Sequence, residues 1–199
     1  MRYRKIAVKI FIGIFFLIFT STPLWSGEPG DVVKGVILKD ISLKDGEDTN
    51  ERKRKLWEEI SLSFNFEEMA KRAMWNHWKN RSPDEKKEFV ELFTNNIKDA
   101  YIRKSGPRFG EKIISLMEKQ GNKFAKVQVG LINKTEGKMS ADFFLLRENL
   151  EWRIYDVVFE GVSLVSNYRC QFNSFLSKSS YEELVQKLKQ NRAKRDMGI

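Results

Sequence analysis

The chain has 199 residues, a formal net charge of +9 and one cysteine, Cys170. One cysteine excludes an intrachain disulfide, and with a single histidine the sequence offers no cluster of His and Cys for a zinc site. The densest basic run, ERKRK at 51–55, is typical of a solvated helix face. It lacks the interleaved aromatic residues of a nucleic-acid groove.

The N-terminus has the layout of a secretory signal peptide. Basic residues precede an apolar run over 10–25, and a short polar stretch begins at Ser26. This run is shorter than the roughly 20 residues that a spanning helix needs, although an uncleaved anchor is the alternative. We predict a leader over 1–26, cut after Ser26 or Gly27, and a single domain over 27–199. The four cations of the leader take 4 from the net charge of +9 and leave +5.

The first half of the predicted domain has helical spacing of apolar residues. A helix with Asp31 as its N-cap is predicted first, and a second helix follows over the basic run. Asn65 and Glu68 have the spacing of a capping box and predict the start of a third helix.

The most specific helix signal lies between residues 82 and 107. Ser82 and Glu85 fit a capping box, Pro83 occupies the first helical position, and Gly106–Pro107 ends the segment. One broad apolar stripe runs along this helix, formed by Phe89, Leu92, Phe93, Ile97, Ala100 and Tyr101.

The period then changes from helix to strand. Three strands joined by short turns are predicted over 123–133, 139–148 and 152–163, and a weaker strand over 111–119. Gly161 ends the last strand, Ser163 caps the next helix, and Ser179 with Glu182 opens a final one. This order of helices, antiparallel strands and helices indicates an α+β fold with a twisted sheet.

Two of the predicted strands are apolar on both faces. Phe143 and Leu145 alternate with Phe144 and Leu146. In the last strand, strict alternation places one set of side chains opposite another: Trp152, Ile154 and Val158 opposite Tyr155, Val157 and Phe159. Either helices cover both faces of the sheet, or the sheet curls and one face lines a cavity. Periodicity does not choose between the two.

Signs of catalysis are sparse in the sequence. His77 lies on the apolar side of a helix and is interpreted as structural. Asp156 and Glu160 could form a buried acid pair, although ion pairing with Arg153 or Arg169 is the more ordinary interpretation. The chain has no P-loop, nucleophile elbow or glycine-rich phosphate cradle, so nothing supports covalent or metal catalysis.

The segment 152–172 resembles the signature of the MlaC/toluene-tolerance family. The matching positions are Trp152, Tyr155–Asp156, Gly161–Val162–Ser163–Leu164, Asn167–Tyr168–Arg169 and Gln171–Phe172. A second block over 64–101 is similar to the family's Phe-Asp-Phe, Trp, Ser/Thr-Pro-Glu and Phe-x-x-x-Phe pattern. Asn65, Trp75 and Cys170 depart from it. The resemblance covers roughly residues 30–190.

This resemblance implies a periplasmic phospholipid carrier. Its fold would be α+β, with helices and a twisted antiparallel sheet enclosing a deep apolar pocket for acyl chains. Its partners would be an inner-membrane MCE-protein/ABC transporter complex and an outer-membrane lipoprotein complex. The protein would be a non-enzymatic monomer without a cofactor, and phospholipid would be its cargo. Relatives associated with hopanoids leave the class of lipid open.

The resemblance and the apolar pattern together suggest the residues of a lipid site. The sheet wall would contain Tyr155, Val157 and Phe159 with Phe143 and Leu145. The facing helix would contribute Leu92, Phe93, Ile97 and Tyr101, and three further residues could close one end: Val162, Val165 and Phe172. Each of these could equally be an ordinary core residue.

Tyr168 and Arg169 are the polar candidates of this site. Arg169 could pair with a phosphate at the pocket mouth, or it could form a salt bridge to Asp156 or Glu160.

A different class of function is also open, a cone-shaped, cystatin-like small-molecule protein or enzyme with Asp156 as general base. A membrane-anchored scaffold is the third interpretation.

Overall fold

The computed structural model describes residues 28–43, 49–103, 109–133 and 137–196, with side chains as far as residue 190. The predicted leader over 1–26 and the predicted helix end at Gly106–Pro107 lie outside the described residues. In the part of the chain that the structure describes, no helix combines the length and apolar character needed to cross a membrane.

Helices and strands follow one another in the predicted order. The helices are α1 (Pro29–Ile41), α2 (Asn50–Ser61), α3 (Phe66–Met74), a 3₁₀ turn (Trp75–His77), α4 (Pro83–Arg103), α5 (Leu164–Leu176) and α6 (Tyr181–Asp196). The strands are β1 (Lys112–Gln120), β2 (Phe124–Asn133), β3 (Gly137–Glu148), β4 (Glu151–Phe159) and β5 (Val162–Ser163). They form one antiparallel sheet in the order β1-β2-β3-β4-β5. The α+β prediction, including the weaker strand, is confirmed.

Two predicted helix starts are confirmed by their hydrogen bonds. The Glu85 N–H donates to Ser82 Oγ at 3.2 Å, and the Ser82 N–H donates to Glu85 Oε2 at 2.6 Å. These bonds with Ser82 hold the pKa of the Glu85 carboxyl below its usual range. The Asn65 side chain accepts from the Glu68 N–H at 2.8 Å and caps α3.

Two other predicted helix starts are wrong. Helix α1 begins at Pro29 after Glu28, and Asp31 lies in its first turn, where its charge favours the dipole. Helix α6 is capped by Ser180, which exchanges hydrogen bonds with Glu183, so the prediction from Ser179 is one residue early. Both registers fit the spacing of a capping box. The observed register is the one in which Tyr181, Leu184, Val185 and Leu188 reach the core.

A β-bulge in β4 overturns the predicted alternation of its side chains. Phe144 pairs with Asp156 and Leu145 pairs with Ile154, which leaves Tyr155 as the extra residue. An extra residue shifts a period of two, so Ile154 and Val157 both face the core. Val157 and Phe159 therefore share the face of Trp152 and Ile154, where the sequence had predicted opposite faces.

The buried apolar residues form two clusters. The sheet cluster joins α1, α2 and the end of α4 to the core face of the sheet, and it includes Val33, Val36, Ile37, Leu56, Trp57, Ile60, Tyr101, Val127, Val129, Leu131, Phe143, Leu145, Trp152, Ile154 and Val157. The helix cluster joins α3, the start of α4, α5 and α6, and it includes Met69, Ala70, Ala73, Met74, Trp78, Phe89, Leu92, Phe93, Val165, Phe172, Tyr181, Leu184, Val185 and Leu188. Helix α4 contributes to both.

Candidate functional site

A cavity of about 540 Å³ lies between the covering helices and the core face of β4. This volume is in the range of small-molecule and cofactor sites, roughly 300–1,000 Å³. Val157 and Phe159 form its sheet wall, Ile97, Ala100 and Tyr101 of α4 face them, and Val36 of α1 adds a further lining residue. Most of the lining belongs to the sheet cluster or packs against it, while Met69 and Leu164 come from the side of the helix cluster, so one part of the hydrophobic core is left open.

Aromatic rings form much of the wall beside α2 and α3. The Trp57 ring centroid lies 5.6 Å from those of both Phe66 and Tyr101, and Phe64 stacks on Phe66 at 5.7 Å. Each of these four rings lines the cavity. Aromatic pairs at such distances hold one another in place, so the wall is shaped before anything enters the cavity.

A buried carboxylate positions two of the lining residues. Asp40 of α1 has no exposed surface, and it accepts hydrogen bonds from the Tyr101 hydroxyl at 3.0 Å and the Phe109 N–H at 2.9 Å. Both Tyr101 and Phe109 line the cavity. Asp40 therefore ties α1 to α4 and to the segment that leads into β1, and it fixes the shape of the cavity between them.

The cavity opens beside the turn between β4 and β5. Val162 lines it while 62% of its surface is exposed, and Glu160 and Asn167 lie at the same rim and are also exposed. Glu160 and Gly161 have positive φ angles of 47° and 80°. Positive φ at both central residues is typical of the tight hairpin turn that joins two antiparallel strands.

Asp156 holds this hairpin to α5. Its carboxylate accepts from the Ser163 hydroxyl at 2.6 Å, the Val165 N–H at 3.0 Å and the Val157 N–H at 2.9 Å. It is not among the residues that line the cavity. Glu160, the other acid of the possible pair, is exposed and accepts instead from the Ser140 N–H, and Arg153 pairs with Glu151.

Five of the predicted site residues line the cavity: Ile97, Tyr101, Val157, Phe159 and Val162. Phe143 and Leu145 lie in the sheet cluster, completely buried and behind the lining. Another six belong to the helix cluster or pack against it: Leu92, Phe93, Tyr155, Val165, Tyr168 and Phe172. The structure therefore divides the predicted site between the open and the closed cluster.

Tyr155 and Arg169 do not line the cavity. Because of the bulge, the Tyr155 ring packs with Phe124 and Phe144, with centroids 6.2 and 6.3 Å apart, under the Arg72 guanidinium. Burial raises the pKa of the Tyr155 hydroxyl. Arg169 donates from Nε to the Arg72 carbonyl at 2.9 Å.

The Arg169 guanidinium also stacks 4.6 Å over the Trp75 ring. It thus joins α5 to the end of α3 and forms neither of the two predicted salt bridges. Trp75 itself has a φ of 48°, in the left-handed region.

Sequence reasoning missed the lining residues Trp57, Phe64, Phe66 and Phe109. Trp57 follows the helical spacing of apolar residues in the first half of the chain, but such spacing does not show which surface lies opposite. No group of three or more His, Cys, Asp or Glu side chains among the described residues could hold a metal ion.

The family of the chain follows from comparison with known proteins. The family described as MlaC protein matches residues 35–190. The chain belongs to the MlaC family. The resemblance found in the sequence is thereby confirmed.

One relative and one solved structure give further comparisons for this MlaC-family chain. The "Intermembrane phospholipid transport system binding protein MlaC" of Haemophilus influenzae is 24% identical over 132 residues, 64% of this chain. The match spans 62% of that relative's length. A phospholipid-binding protein from Ralstonia solanacearum, solved in complex with a phospholipid, superposes with a TM-score of 0.66 at 17% identity, covering 84% of this chain and 98% of that one. This second likeness confirms the fold.

Proposed function

We propose that the chain is a periplasmic carrier that holds the acyl chains of a phospholipid in the cavity beneath β4. The observation that carries the proposal is the cavity of about 540 Å³, lined almost wholly by apolar and aromatic side chains in an MlaC-family fold. The names of these two proteins, one a phospholipid-transport binding protein and the other solved with a bound phospholipid, support the same cargo.

The energetics of lipid hydration explain why such a carrier needs no chemistry. Two acyl chains carry on the order of 30 methylenes, and exposing them to water costs roughly 25 kcal/mol at about 0.8 kcal/mol each. An apolar wall offsets this cost by contact alone, and contact of this kind does not discriminate sharply between chains. Side chains such as Val157, Phe159 and Ile97 are suited to this task.

The carrier would act between two membranes. A leader over 1–26 would export it to the periplasm, where it would collect or deliver lipid at an inner-membrane MCE-protein/ABC transporter complex and at an outer-membrane lipoprotein complex. The name of the Haemophilus influenzae relative, an intermembrane phospholipid transport protein, supports this route. The protein would work as a monomer without a cofactor.

Native mass spectrometry of the protein purified from a periplasmic extract tests the proposal. We expect an added mass equal to one phospholipid, which solvent extraction releases. The same spectrum gives the N-terminus of the exported chain. A protein that stays free of lipid after gentle purification and after incubation with phospholipid vesicles would overturn the proposal.

A variant that fills the cavity links the bound lipid to this site. Ala100 is exposed and lines the cavity, and Ala100→Trp adds an indole there that we expect to take the place of at least two methylenes of cargo. We expect lipid affinity to fall about tenfold or more, since each methylene contributes about 0.8 kcal/mol. Lys87→Trp adds the same ring at an exposed position of the same helix and should leave occupancy unchanged.

A further inference from the structure

The rim of the cavity carries a particular pair of polar groups. Four of the described lining residues carry polar side-chain atoms: Trp57, Tyr101, Glu160 and Asn167. Trp57 and Tyr101 belong to the aromatic wall, and the Tyr101 hydroxyl already donates to Asp40. Glu160 and Asn167 are the two at the rim. No lysine, arginine or histidine is among the described residues that line it. A head group held at this rim therefore meets a carboxylate and an amide.

The Glu160 carboxylate is held in place by its own strand neighbour. The Ser140 N–H donates to Glu160 Oε1, and the Glu160 N–H donates to the Ser140 carbonyl at 3.1 Å. These two bonds fix the side chain and the turn together. No described residue hydrogen-bonds the second carboxylate oxygen, Oε2, which remains available to a ligand at the rim.

The backbone conformation at Glu160 is energetically unfavourable for a residue with a side chain. Its φ of 47° lies in the left-handed region, which glycine and asparagine adopt more readily than glutamate. Strained residues of this kind cluster at ligand sites, where the surrounding structure holds them in place. The position thus keeps a fixed negative charge where a neutral residue would suit the turn better.

Asn167 supplies the complementary group. Its Oδ1 accepts from Gln171 Nε2 at 3.3 Å, so the amide NH₂ is its remaining polar group. An amide NH₂ can donate to a phosphate or ester oxygen, whereas the Glu160 carboxylate can only accept. The rim therefore matches a head group that combines an anionic phosphate with a cationic end.

We propose that Glu160 makes the cavity select phospholipids whose head group ends in an ammonium over phospholipids with a net negative head group. This inference rests on the proposed function. The ammonium donates to Glu160 Oε2, a charge-assisted bond of the stronger kind. A head group with a phosphate and no cation meets the same carboxylate as a like charge, which disfavours it.

A competition experiment measures the selectivity. The purified protein, stripped of lipid, is incubated with vesicles of equimolar phosphatidylethanolamine and phosphatidylglycerol that carry identical acyl chains. Native mass spectrometry then gives the ratio of the two complexes. We expect phosphatidylethanolamine to exceed phosphatidylglycerol by up to about fivefold, the range that an exposed charge pair supplies.

Glu160→Gln assigns the selectivity to this residue. Glutamine keeps an oxygen that accepts from the Ser140 N–H, so the turn is retained while the charge is lost. The ratio should fall to that of the vesicles. Glu58→Gln removes the same charge from an exposed position of α2, away from the cavity, and should leave the ratio unchanged.

A change in the lipid tests the charge interaction with Glu160 without altering the protein. Acetylation of the phosphatidylethanolamine amine removes its positive charge, and the wild-type preference for this lipid should disappear. Equal binding of the two unmodified lipids by the wild type, or a preference that survives in Glu160→Gln, would overturn the inference and leave the carrier function standing. Failure to bind either lipid would instead overturn the proposed function.

Discussion

The two hydrophobic clusters are built from similar residues but differ in how completely they are filled. In the helix cluster the rings of Phe89, Phe93, Tyr168 and Phe172 pack against one another with centroids 5.1–6.2 Å apart. In the sheet cluster the Trp57 and Tyr101 rings contact one another beside a cavity of about 540 Å³. The difference indicates that the helix cluster stabilises the fold, and that the sheet cluster forgoes part of its packing to leave room for a ligand.

Truncation of a ring in the closed cluster should have the largest effect on stability. Phe172→Ala removes a ring that is 4% exposed and packed against Phe89 and Phe93. We expect the free energy of unfolding to fall by about 3–5 kcal/mol, measured by urea denaturation. Lipid occupancy of the folded variant should equal that of the wild type. Loss of lipid without loss of stability would show that the helix cluster also contacts cargo.

Removal of one hydroxyl in each cluster compares their polar contacts. Tyr101→Phe takes a donor from the buried Asp40 carboxylate and should cost about 1–3 kcal/mol of unfolding free energy. Tyr181→Phe removes the hydroxyl that donates to the Glu85 carbonyl at 3.0 Å, a partly buried bond, and should cost about 0.5–1.5 kcal/mol. Thermal denaturation ranks the two variants. An equal or reversed order would contradict the role given to Asp40.

The smallest effect on stability is expected for a side chain that faces the cavity. Ile97 is partly buried and has open space on one side, so Ile97→Ala loses fewer contacts than a core truncation. We expect a loss of about 1 kcal/mol or less of unfolding free energy, well under the 2–5 kcal/mol typical of a filled core. Lipid affinity should fall in the same variant. A loss of 3 kcal/mol or more, as in a filled core, would mean that the cavity is closed around Ile97.

Local signals in the sequence predicted the order of elements well. The capping box of α4, the strand over 123–133 and the hydroxyl cap of α5 each depend on residues close in sequence, and each is confirmed. The errors arose where two local registers were equally good, as at Ser179 and Ser180, or where a bulge at Tyr155 shifted the period.

The candidate site could be predicted only in part. The stripe of α4 was found, but the structure divides it, so that Leu92 and Phe93 enter the closed cluster while Ile97 and Tyr101 reach the cavity. A periodic stripe shows that a side chain leaves water, and it carries no information about what packs opposite. The linker residue Phe64 was missed because it lies outside any periodic segment. It pairs with Ile154 of β4, which is far from it in the sequence.

Helix α4 has 21 residues and belongs to both clusters, which has a mechanical consequence. It is a continuous rod of about 30 Å at 1.5 Å per residue. The end near Phe89 is clamped among α3, α5 and α6, and the end near Tyr101 forms a wall of the cavity. Widening of the cavity at this wall would move the Tyr101 end of the helix about the Phe89 end and would strain the Tyr101–Asp40 hydrogen bond. Small adjustments at the clamp would be magnified along the rod at the cavity wall.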